Sequence, residues 1–149
     1  MQKFILSIIG LCLSAGLFSQ VLPDNWSGDT DIFTYQESTN IHGGSYSCRV
    51  DVNSGSQADC DMRHDEVAVT AGDTYTLRFW VWTSAHVKAR AVLEWTGASA
   101  TYTTYSAAGT GGFVEITASD IVPAGATGVK VGVRFYDQSG FSAPETQYL

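Results

Sequence analysis

The chain has 149 residues and a net charge of −7, with 44% hydrophobic, 12% aromatic and only 15% charged residues. That length suits one domain, and the acidic balance excludes general affinity for nucleic acid or anionic membrane, which needs a net basic surface. Low charge beside fifteen Gly, seven Tyr and four Trp also excludes a disordered polyelectrolyte and a charge-laced helical bundle.

Residues 1–20 read MQKFILSIIGLCLSAGLFSQ: one Lys near the start, an apolar run over 4–17, then small residues. This is the layout of a secretory signal peptide, and the run is shorter than the roughly 20 residues a bilayer span needs. Cleavage is expected near Ser19 or Gln20. The mature domain, 21–149, then lies outside the cytoplasm with no membrane attachment, an uncleaved anchor being the alternative. Leu11 is too bulky for lipoprotein processing at Cys12.

The rest alternates strands and turns. Strands are predicted over 31–36, 45–52, 57–62, 66–69, 73–83, 86–95, 100–105, 113–117 and 128–136. Turn clusters at 42–44, 71–73, 96–98, 109–112, 123–125 and 138–140 separate them. No window of eleven residues keeps a helical period, and many short strands at this spacing imply a sandwich or barrel.

Signal removal leaves Cys48 and Cys60, an even pair in an oxidising compartment. A hairpin turning at 53–55 would set them opposite one another, close enough for a disulfide. Two buried thiols are the alternative reading. Zinc has no support, because no His or second Cys pair falls at ligand spacing. His42, His64 and His86 are scattered and read as surface or turn residues.

Period-two alternation assigns faces in the three long strands. Tyr75, Leu77, Phe79 and Val81, then Leu93, then Val131, Val133 and Phe135, belong to a core between two sheets. The opposite faces carry Arg78, Trp80 and Trp82; Lys88, Arg90 and Glu94; Lys130, Arg134 and Tyr136.

In order, the segments IHGGSYSCRV, VAVTAGDTYTLRFWVWT, HVKARAVLEW, VPAGATGVKVGVRFYD and ETQYL resemble the carbohydrate-binding modules of the family 4/9/22 type, with a galactose-binding-like jelly roll. The matching pieces are Gly44-Ser45-Tyr46-Ser47 opening a strand, residues 71–77 leading to Phe79-Trp80, and the alternating Val strand ending Arg134-Phe135-Tyr136. These are scaffold motifs and speak for the fold more than for a ligand. The implied fold is all-β, a two-sheet antiparallel β-sandwich. Family members close on a further strand that begins where this chain reads Gln147-Tyr148-Leu149. The sequence therefore reads as a fragment of a longer secreted protein carrying further domains, and a version with that strand extended is expected to be more stable. The family also often binds a structural calcium. No ligand set transfers to VLPDNWSGD, and Asp29, Asp31 and Glu37 remain loose candidates.

The function implied is a non-catalytic polysaccharide-binding module; the alternative is a structural or adhesive β-sandwich of a cell-surface protein without a sugar ligand. Catalysis is not expected within this segment. The long strands' polar faces hold one acid, Glu94, where a glycosidase needs two converging carboxylates, and no G-x-S-x-G elbow or phosphate loop occurs. An enzyme domain could follow Leu149. The resemblance implies that the three long strands share a sheet, gathering Arg78, Trp80, Trp82, Lys88, Arg90, Glu94, Arg134 and Tyr136 into one ligand face. Aromatic planes would stack on sugar rings, and the cations would favour an anionic or mixed glycan.

Overall fold

The computed structural model describes residues 3–7 (backbone), 22–55 and 57–149. Among the described residues twelve strands form in chain order: β1 (Lys3–Ser7), β2 (Trp26–Gly28), β3 (Ile32–Glu37), β4 (Ser47–Val52), β5 (Asp59–His64), β6 (Val67–Ala68), β7 (Thr74–Val81), β8 (Val87–Thr96), β9 (Thr101–Tyr102), β10 (Val114–Ile121), β11 (Gly128–Asp137) and β12 (Glu145–Tyr148). Among the described residues there is no helix, and so none long and apolar enough to cross a membrane.

One layer is the six-stranded sheet β2-β5-β11-β8-β9, with β6 also pairing to β11. The other is made of β3-β4-β12 and β10-β7-β1, joined where Trp82 and Tyr148 exchange backbone hydrogen bonds of 3.0 Å. All pairings are antiparallel except β1 on β7, where Lys3 lies opposite Tyr75 and Ser7 opposite Arg78. Residues 3–7 fall within the expected signal peptide. The remainder of that segment, with Cys12 and the expected cleavage position, lies outside the described residues.

The core follows the alternation. Tyr75, Leu77, Phe79 and Val81 of β7 and Val50 and Val52 of β4 face Leu93, Val131, Val133 and Phe135 across the sandwich, each at most 3% exposed. Glycine is required where turns approach closely. A Cβ on Gly97, whose φ is +91°, would stand 2.6 Å from the Gly125 carbonyl oxygen.

Two expectations are corrected here. β7 does not share a sheet with β8 and β11; the chain crosses from one layer to the other in the turn after Trp82. Alternation reports which side of a strand is buried, and that pattern is the same in either layer of a sandwich. In the same way β4 and β5 are not a hairpin. β4 pairs with β3 and β12, β5 with β11 and β2, and the connection between them crosses layers. That connection is held by the buried Asp137, whose carboxylate accepts from Ser54 Oγ at 3.0 Å and the Ala58 amide at 2.6 Å.

No disulfide joins Cys48 to Cys60. Cys48 sits opposite Gln36, and Cys60 opposite Phe135 in the other layer. Burial pushes the Cys60 thiol up to about 12, so little thiolate is present at neutral pH. Cys60 is therefore expected to resist iodoacetamide in the native protein and to react on unfolding. Peptide mapping under non-reducing conditions checks this, and a Cys48–Cys60 crosslinked peptide would contradict it.

β12 is fastened to the β7–β8 turn by one carboxylate. Glu145 accepts from His86 Nδ1 at 2.7 Å and from Ser84 Oγ at 2.5 Å, while Gln147 Oε1 accepts from the Ser84 amide at 2.6 Å. Burial pushes the Glu145 carboxyl up, but the hydrogen bonds from Ser84 and His86 outweigh it and hold it below its ordinary 4.5. A depressed folded value means the clasp's stabilisation is present above the unfolded value and is lost as pH falls through the folded one. Glu145→Gln is thus expected to lower the melting temperature at pH 6, with the gap to wild type closing towards pH 3.

Candidate functional site

The sandwich has two outward faces, and the sequence-predicted residues divide between them. The face of the six-stranded sheet brings together Lys88, Arg90, Glu94, Arg134 and Tyr136. In register, Asp59, Tyr136 and Lys88 form one row across β5, β11 and β8, and Asp61, Arg134 and Arg90 the next. Asp61, 3% exposed, takes hydrogen bonds from Arg134 at 2.7 and 2.6 Å and from Arg63. Arg63 continues to Glu94 at 3.1 Å and Asp29 at 3.0 Å. Its stem passes over Gly132, where a Cβ would stand 3.3 Å from Arg63 Cγ.

The remaining cations of this face lie on rings. The Arg90 guanidinium is 4.3 Å from the centroids of both Tyr102 and Tyr105, and its buried Nε has no hydrogen-bond partner among the described residues. Lys88 Nζ is 5.5 Å from Tyr105 and from Tyr136. Tyr105 donates to Asp59 at 2.6 Å, and its phenol is held well above the usual range by burial and then by that carboxylate. Arg134 is raised too, by its hydrogen bonds to Asp61. Glu94 is the one acid that the polar faces of the long strands offer, and the structure adds Asp59 and Asp61 from β5 and Asp29 from the turn before β3. Lys88 and Arg90 occupy the Tyr faces, and carboxylates occupy Arg63 and Arg134. Arg90 Nε is the exception, so the lattice is closed by carboxylates and ring faces but not at that atom.

Arg78, Trp80 and Trp82 lie on the other outward face. There the register sets five side chains in a row across the strands. Tyr35 on β3 is opposite Arg49 on β4; Arg49 is opposite Tyr148 on β12; Tyr148 bridges to Trp82 after β7; and Phe113, just before β10, stands beside Trp82. Their inward neighbours Thr34, Val50, Gln147 and Val81 are fully buried, so the five point outward by alternation. Trp82 meets Tyr148 at 5.6 Å and 52° and Phe113 at 5.9 Å and 70°. One contact is edge-to-face and the other tilted, and neither ring is stacked parallel on the indole. Trp80 differs, being stacked under His42 at 4.4 Å and 18°, with Arg78 5.3 Å from its ring.

Arg49 is fixed for use. Its Nε and Nη2 bind Asp51 at 2.9 and 2.7 Å, and Thr146 holds that carboxylate at 2.7 Å. Nη1 has no partner among the described residues, and the guanidinium lies 5.4 Å from the Tyr35 ring. Sequence reasoning missed Tyr35, Arg49, Tyr148, Phe113 and His42. Alternation in 32–37 was the available signal for Tyr35; the others depend on which strands become neighbours. Among the described residues no group of three or more His, Cys, Asp or Glu could hold a metal. Of the loose calcium candidates, Asp29 serves Arg63 and the Asp61 amide, and Glu37 caps the Thr39 amide at 2.5 Å.

The carbohydrate-binding domain family model matches residues 13–136. No curated protein matches the chain. Among solved structures, TmCBM61 in complex with β-1,4-galactotriose is similar over 84% of this chain and 83% of its own, with a TM-score of 0.57 and 17% identity. The C-terminal family 22 carbohydrate-binding module of Clostridium thermocellum Xyn10B covers 85% and 87%, with a TM-score of 0.56 and 14% identity. The CBM22-1 xylan-binding domain of Paenibacillus barcinonensis Xyn10C covers 83% and 80%, with a TM-score of 0.58 and 9% identity.

Proposed function

We propose, from the premise that this chain belongs to the carbohydrate-binding domain family, that it binds a polysaccharide along the row Tyr35–Arg49–Tyr148–Trp82–Phe113. The observation that carries this is Trp82: a half-buried indole between Tyr148 and Phe113, with no ring stacked parallel on it among the described residues, in an outward row of four rings and one guanidinium. Sugar rings present C–H faces that pack on such a plane, and hydroxyls that need fixed donors, here Arg49 Nη1. Five strands at about 4.8 Å spacing make the row roughly 19 Å long, enough for a short oligosaccharide. Trp80 and Arg78 flank it and belong to the same site. The lattice of Lys88, Arg90, Glu94, Arg134 and Tyr136 supports the sandwich instead.

The charge at the row favours a neutral chain over the anionic one expected from the sequence. Arg49 is neutralised by Asp51, and Glu37 and Glu115 lie on the same face as Arg78. The domain acts by binding alone, outside the cytoplasm. Affinity electrophoresis against neutral and acidic polysaccharides tests this. Retardation by a neutral glycan, insensitive to salt, is expected. Retardation by acidic glycans alone would restore the anionic reading, and none by any glycan would favour an adhesive or spacer role.

A further inference from the structure

Beyond Phe113 the row does not end on open surface. A cavity of about 450 Å³ lies past the β10 edge, between residues Val114–Thr117 on one wall and the segment Thr103–Thr110 on the other. That volume is within the roughly 300–1,000 Å³ of small-molecule sites. We propose that this cavity is a second saccharide site, taking the terminal or branching sugar of a chain that lies on the ring row; the inference rests on the row being the glycan platform.

The walls are built, not incidental. The 103–110 segment is held against β8 by its own hydroxyls: Thr103 Oγ1 accepts from the Ala91 amide and Ser106 Oγ from the Ala89 amide, both at 3.0 Å. The backbone amides of Thr103 and Ser106 donate in turn to Ala91 O at 3.1 Å and Ala89 O at 2.7 Å. Thr110 braces the far end, accepting from the Thr83 amide at 3.0 Å and donating to Gly112 O at 2.7 Å. Gly109 closes in at +63°, where a Cβ would stand 3.2 Å from Ala85 Cα.

The lining then selects the ligand. Five hydroxyl side chains (Thr and Ser), Tyr105 and one carboxylate, Glu115, share the lining with the apolar Ala107, Val114 and Ile116; no Lys, Arg or His lines it. Without a cation the cavity disfavours phosphate, sulfate and carboxylate ligands. Thr117 donates to Glu115 Oε1 at 3.0 Å, which orients the carboxylate and leaves Oε2 to accept. Because Thr103 Oγ1 is used as an acceptor, its own O–H is left to donate. Oriented acceptors beside hydroxyl donors suit a neutral polyol such as a pyranose. Continuity gives the register: Phe113, the last ring of the row, immediately precedes Val114, and Glu115 pairs with Trp80.

The test is calorimetric titration with β-1,4-linked galacto- and xylo-oligosaccharides of two to six units, followed by amide chemical-shift mapping. Glu115→Ala is expected to weaken binding of the preferred oligosaccharide about tenfold, Glu115→Gln less, with no change in melting temperature. Amides of Thr104, Gly109 and Thr117 are expected to shift together with those of Trp82 and Tyr148. Binding lost in Trp82→Ala but unchanged in both Glu115 variants, with shifts confined to the row, would overturn the cavity and leave the platform standing. Binding indifferent to Trp82→Ala yet weakened in Glu115→Ala would keep the cavity and remove the row. Absence of binding by wild type would overturn both.

Discussion

Trp82→Ala is expected to weaken oligosaccharide binding by about 30-fold or more, taking the protein below detection in affinity electrophoresis. Buried aromatic anchors at the centre of a binding site cost about 2 kcal/mol or more on truncation, and each 1.4 kcal/mol is tenfold. Trp82 is the largest ring of the row and is flanked on both sides, by Tyr148 and by Phe113. Trp80→Ala is expected to cost less, because His42 already covers that indole and its loss opens packing more than it removes a platform. Arg90→Ala, on the opposite face, should leave retardation unchanged. Equal retardation of wild type and Trp82→Ala would move the site off this row. The fold should survive the change, since Trp82 lies outside the core and its backbone bridge to Tyr148 does not need the side chain.

Asp61→Ala is expected to produce the largest loss of stability among surface-lattice variants, about 3–5 kcal/mol. The carboxylate is 4% exposed and neutralises Arg134 and Arg63, whose side chains are 15% and 27% exposed. Removing it takes away the two short hydrogen bonds of Arg134, which keeps the longer contacts to Asp59 at 3.4 Å and Glu94 at 4.0 Å, while Arg63 keeps Glu94 and Asp29; Arg90 stands directly opposite Arg134 as a further like charge. Pairs of like charge across a ladder are destabilising on their own. At this chain length the melting temperature should fall by roughly 10–20 °C. Denaturant or thermal unfolding checks it, and Lys88→Ala, which removes an outer cation without uncovering another charge, should change little. A fall of only a degree or two in Asp61→Ala would mean the lattice is screened surface charge.

These two variants sit on opposite faces of the sandwich, and that separation was not available from local pattern. What the residue order determined by itself is the set of elements and their buried sides. Thr, Val and Tyr at alternate positions bounded by Gly and Pro clusters dictate strands, and burial of Leu77, Leu93, Val131 and Phe135 follows from period two within each strand. The resemblance carried by the segments around Ala71–Leu77 and Val129–Tyr136 adds the jelly-roll architecture, because those segments are scaffold.

Only the tertiary structure decided which layer each strand joins. Alternation is identical for a strand in either layer, so placing β7 beside β8 and β11 merged two faces that lie back to back. The same ambiguity produced the Cys48–Cys60 pairing: a hairpin and a crossover between layers have the same turn residues, and only long-range pairing to β3, β12, β2 and β11 separates them. The aromatic row has no sequence signal at all as a row. Tyr35, Arg49, Trp82, Phe113 and Tyr148 are spread over more than a hundred residues, and lateral register across five strands makes them neighbours. Strand identity is a local property of side chains on a pleat; strand neighbours, and therefore sites built across a sheet, are set by which buried faces can close over one another.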